Sequence, residues 1–192
     1  MLRKIIEALA RIMAILGGLV LSGLIIMTCL SIFGRFLNGV LNADMFEGVA
    51  AAEWLLLLGI GPINGDFELI EAGMAFVIFA FLPITQITGG HASVDIFTNA
   101  LGRATNRVLS ALWALVFAAV LVLIAVQLWL GTEAKMRYGE TTFLIQFPIW
   151  WAYAAALSGA VIAALAQAYV AAVRVAELVT GAEILRPEGA EH

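Results

Sequence analysis

The stretch Met45-Phe46-Glu47-Gly48-Val49-Ala50-Ala51-Ala52-Glu53-Trp54-Leu55-Leu56-Leu57-Leu58-Gly59-Ile60-Gly61-Pro62-Ile63 decides the fold, because its reading sets how often the chain crosses a membrane. Trp54 to Leu58 is lipid-like, yet Glu47 and Glu53 fall inside the stretch and Gly61-Pro62 ends it. A helix needs ~20 apolar residues to cross ~30 Å of hydrocarbon. The fully apolar part here is less than half that length. Residues 45–63 are therefore predicted to form a helix that lies in the outer interface or dips part-way in.

On either side of this segment, four longer runs meet the length requirement: residues 12–33, 69–88, 108–131 and 147–173. The first follows a basic start (Arg3, Lys4, Arg11) and ends in Gly34-Arg35-Phe36. It exceeds the ~7–15 apolar residues of a signal-peptide core, so it reads as a retained helix. The second opens near Glu71, ends before Gly89-Gly90 and carries Pro83, which predicts a kink.

Charge placement favours four crossings over five. With the N-terminus inside, the inner segments hold Arg3, Lys4, Arg11, Arg103, Arg107, Arg174 and Arg186, and the outer ones hold Arg35, Lys135 and Arg137. That is the positive-inside pattern, and letting 45–63 cross would invert it. The expected fold is an all-α integral membrane protein, a four-transmembrane-helix bundle with an extra interfacial helix in the outer loop. Residues 1–176 form one membrane domain and residues 177–192 a disordered cytoplasmic tail. Both termini are expected in the cytoplasm.

Composition agrees. The 192 residues are 63% hydrophobic and 12% charged, about half the ~25% of a soluble domain. A single cysteine, Cys29, excludes an intramolecular disulfide or a thiolate metal cage, and two histidines, one of them the C-terminal His192, make a poor haem site. The net charge of −4, without a long basic run, argues against nucleic acid. No catalytic centre, metal or cofactor is expected.

Several constellations invite a functional reading. Gly90-His91-Ala92-Ser93-Val94-Asp95 contains the residue types of a hydrolytic triad, but adjacency supplies neither pocket nor oxyanion hole. Helix capping by Ser93 or Asp95, or a subunit contact, is the plainer account. Glu68 and Glu71, with Asp66, stand at the outer mouth of the second run. They could hold a cation, but dipole compensation or partner docking explains them as well. Arg35 is placed to meet one of these acids or a lipid phosphate. Pro148 with Trp150, Trp151 and Tyr153 opens the fourth run as an interfacial aromatic belt, which could also receive a partner helix. The cores of the first, third and fourth runs lack ionisable residues, the usual mark of a transport path.

In this order and spacing, the motifs resemble the DctQ-like small membrane subunit of tripartite ATP-independent periplasmic (TRAP) transporters, over roughly residues 10–175. The resemblance rests on Glu68-Leu69-Ile70-Glu71, on Gly90 to Asp95, on Gly139 with Thr141-Thr142, and on Pro148 to Tyr153. The glutamates are split by Leu69-Ile70, Gln86 to Gly89 lacks the arginine often found before the histidine, and 45–63 reads as an insertion.

The resemblance implies a scaffold in the bacterial inner membrane. Its partners would be a large multi-span permease subunit, a periplasmic substrate-binding protein and membrane lipids, in sodium-driven uptake of organic acids. Arg35, Glu68, Glu71, His91, Ser93, Asp95, Pro148, Trp150, Trp151 and Tyr153 become candidates for partner contact or orientation. Two other readings stay open, a membrane anchor of a redox enzyme and a small self-sufficient channel or transporter.

Overall fold

The computed structural model describes residues 2–43, 50–57, 59–88 and 103–180. They form five helices: α1 (Leu2–Leu41), α2 (Ala50–Leu57), α3 (Asp66–Thr88), α4 (Arg103–Tyr138) and α5 (Ile149–Thr180). Four of these, all but α2, are long and apolar enough to cross a membrane, as the sequence predicts. In hydrocarbon every backbone polar group must be satisfied within the segment, which leaves a helix as the solution for such runs. Side-chain hydroxyls in the helices obey the same demand. Ser22, Thr28 and Thr132 each donate to the carbonyl four residues earlier.

The helices pack in the order α1, α3, α5, α4. The two inner members each touch both neighbours, while α1 and α4 make no substantial contact with each other. Centrality is written in the residues of α5: Ala156, Gly159, Ala160, Ala163, Ala164 and Ala166 are all buried. Small side chains let helices approach closely where lipid offers no hydrophobic drive for association.

The α1–α3 seam is antiparallel and regular. Gly17 lies against Ala80, Leu24 against Gly73, and Ser31 against Asp66, so seven residues forward on α1 match seven back on α3. A seven-residue repeat is the period at which two helices keep one face in contact while supercoiling.

The segment 45–63 contains α2, which spans 8 residues and is far too short to cross. Leu57 at its end is 85% exposed. Residues 59–65 then return along α1. Asn38 donates to the Ile60 carbonyl (2.9 Å), Gly34 faces the Gly61 carbonyl, and the Ser31 hydroxyl accepts from the Ile63 N–H (3.2 Å). Any Cβ at Gly34 would stand 2.2 Å from that carbonyl oxygen, so the close approach requires glycine.

At the opposite end of the bundle, Arg174 and Glu177 on α5 form a largely buried ion pair (3.1 Å). Pro83 is fully buried within α3. It cannot supply the N–H that the Phe79 carbonyl would receive in an unbroken helix. Gly159 of α5 packs against that same peptide: a Cβ there would lie 2.9 Å from the Phe79 carbonyl carbon. The proline and the glycine thus meet at a close approach of the α3–α5 seam.

Candidate functional site at the Glu68 end

Polar chemistry concentrates where α1 and α4 end and α3 and α5 begin. Gly139, with φ of +63°, ends α4 by donating to the Lys135 carbonyl, the left-handed C-terminal stop that glycine favours. The chain then makes a narrow loop. Thr141 and Pro148 pair as an antiparallel bridge. The Thr142 N–H donates to the Phe147 carbonyl (2.9 Å), and the Phe147 N–H donates back to the Thr142 hydroxyl (3.0 Å). Gln146 takes a φ of +52°, unusual for a residue with a Cβ, and turns the loop.

The loop tip is held from across the bundle. The Glu68 carboxylate accepts the N–H groups of Leu144 (2.7 Å) and Ile145 (3.0 Å). Hydrogen bonds to an ionised acceptor are shorter and stronger than neutral ones. Ile145 also packs onto Gly65, whose φ is +76° and where any Cβ would stand 2.3 Å from the isoleucine methyl. Phe143, at the crest, is 91% exposed. An apolar tip is thus fixed in place and presented outward.

A second cluster lies on the α1 side. Asp66 accepts from the Ser31 hydroxyl and from the Phe67 N–H, and the Arg35 guanidinium stands 3.5 Å away. Of the partners considered for Arg35, the fold therefore supplies Asp66. On α4, Lys135 is paired with Glu140.

Beneath the loop, between α3, α4 and α5, is a cavity of about 330 Å³. Glu68, Glu71 and Thr142 stand among its lining near the loop, and Phe79 and Ala156 are the deepest residues along α3 and α5. Tyr153 closes its α4 side, packed on Gly131, where a Cβ would be 2.9 Å from the ring. Beside it, Phe147 meets Trp151 edge-on (5.7 Å), and Trp151 meets Trp150 edge-on (5.9 Å). Trp151 remains 53% exposed.

The fold brings Glu68, Glu71, Pro148, Trp150, Trp151 and Tyr153 to one end and puts Arg35 near them on the Asp66 cluster. Glu71 has no hydrogen bond or ion pair to a described residue. His91, Ser93 and Asp95 lie outside the described residues. No group of three or more metal-ligating side chains occurs among the described residues. Gln167, which the sequence analysis does not single out, ties α5 to α4 by donating to the Ala114 carbonyl (3.0 Å). The Gly65 contact with Ile145, and the identity of the Phe79 peptide as Gly159's partner, could not be read from the sequence, since a glycine in a sequence does not say which backbone or side chain approaches it.

A family profile described as "Tripartite ATP-independent periplasmic transporters, DctQ component" matches residues 24–178. The chain belongs to the DctQ family. No curated protein and no solved structure matches it. The DctQ match begins within α1 and runs to the last turn of α5, so it takes in the loop, the Glu68 clamp and the cavity. As a DctQ component, the chain is a membrane-embedded part of a three-part transporter, and its four long helices suit that setting.

Proposed function

We propose that this chain is the small scaffold subunit of a sodium-coupled TRAP transporter that takes up organic acids across the bacterial inner membrane. It braces a large multi-span permease subunit and helps to dock the periplasmic binding protein, and it performs no chemistry itself. Membership of the DctQ family carries this reading. The open row of helices supports it, because the outer faces of α1 and α4 expose large apolar side chains such as Phe33, Phe36, Trp113 and Trp129. The fixed apolar crest at Phe143 supports docking of a protein partner at the Glu68 end.

On this reading both termini lie in the cytoplasm and the Glu68 end in the periplasm, which the positive-inside charge bias supports. Arg35, Glu68, Glu71, His91, Ser93, Asp95 and the Pro148–Tyr153 belt act in contact or orientation. The test is a mild-detergent pull-down of the tagged full chain from its native membrane, followed by mass spectrometry. A stoichiometric many-span protein whose reconstituted complex takes up an organic acid only with a sodium gradient is the expected result. Recovery of redox subunits, or solute flux through this chain alone in liposomes, would overturn the scaffold reading.

A further inference from the structure

The cavity beneath the loop is shaped and charged for a particular ligand. Along α3 its lining runs from Glu71 through Ala75 to Phe79, which is ~12 Å at 1.5 Å per residue. That is close to the ~15 Å thickness of one leaflet's hydrocarbon, half of the ~30 Å bilayer core. It goes no deeper, because the Gly159 contact with the Phe79 backbone brings α3 and α5 together there. The result is a partly open, mainly apolar slot that runs most of the way down one leaflet, with Glu68 and Glu71 at its loop end.

Its chemistry excludes most other occupants. A helix is ~10–12 Å wide with its side chains, too broad for a cavity of about 330 Å³. An anionic solute would meet two carboxylates. Of the two carboxylates in the described lining, a metal ion would find Glu71 alone uncommitted, since Glu68 is engaged by the Leu144 and Ile145 N–H groups. A cationic group at headgroup depth joined to an alkyl chain satisfies both halves of the slot.

We propose that this slot between α3, α4 and α5 binds one acyl chain of a phospholipid whose headgroup ammonium is received by Glu71. The lipid fills a void that would otherwise cost packing contacts at the core of the Glu68 end. It also buttresses the loop from below, because Phe147 and Thr142 line the same slot.

The test is native mass spectrometry of the full chain, with matched-chain phosphatidylethanolamine and phosphatidylglycerol supplied separately to delipidated protein. It reads lipid occupancy alone, so it is independent of the transporter assignment. The expected result is one phosphatidylethanolamine retained per chain, about tenfold over phosphatidylglycerol, which corresponds to ~1.4 kcal/mol. Glu71→Gln is expected to erase the preference while still admitting an acyl chain. Ala152→Phe, or the smaller Ala75→Leu should the first fail to fold, is expected to abolish retention of both lipids in protein that stays monodisperse. Equal occupancy by the two lipids, no retention of either, or retention that survives both slot-filling variants would overturn the proposal.

Discussion

Glu68 shows how one carboxylate organises an end of the molecule. Its acceptors meet two backbone N–H groups that the loop cannot satisfy within itself, so the side chain substitutes for missing secondary structure. Glu68→Ala is expected to speed amide exchange at Leu144 and Ile145 while leaving the helix interiors protected. Unchanged exchange at those two amides would remove the clamp from the account. Gly159 is the apolar counterpart. Gly159→Val drives a side chain into the Phe79 peptide and is expected to cost about 1–3 kcal/mol, as overpacking does. Gly18→Val meets open space and is expected to stay within about 0.5 kcal/mol. Denaturant titration of the two variants in one detergent checks the contrast.

Pairs of elements obey register more than composition. The α1–α3 seam repeats every seven residues and ends on the Ser31, Asp66 and Arg35 cluster, which sets its rotation. In a Cys29→Ser background, Gly17→Cys with Ala80→Cys is therefore expected to cross-link on mild oxidation. Gly18→Cys with Ala80→Cys, one residue off the seam, is expected not to. A gel shift in the second pair and none in the first would contradict the register. The chain that returns from α2 strengthens the same element, since Asn38, Gly34 and Ser31 each hold one of its residues. An apparent interfacial insertion is thus stitched to α1 over about two turns.

As a whole, the molecule is an open row with α3 and α5 inside and α1 and α4 at its flanks. A row leaves broad apolar faces, and the half-exposed Trp151 belt sits beside one of its loops. Trp150→Ala with Trp151→Ala is expected to lower the yield of intact complex several-fold at unchanged expression, and undiminished assembly would separate the belt from docking. The number of crossings, the short α2 and the membrane setting were legible in the sequence. They follow from one-dimensional quantities: the length of an apolar run against hydrocarbon thickness, and where arginines fall. The acidic and aromatic motifs fall together at one end of the molecule. Their partners were not legible. Glu68 finds its donors 76 and 77 residues away, Arg35 selects Asp66 among several acids, and Gly159 finds the peptide that Pro83 leaves short of a donor. Apolar helices in lipid look alike along the chain, and only the fit of their surfaces in three dimensions decides which faces meet.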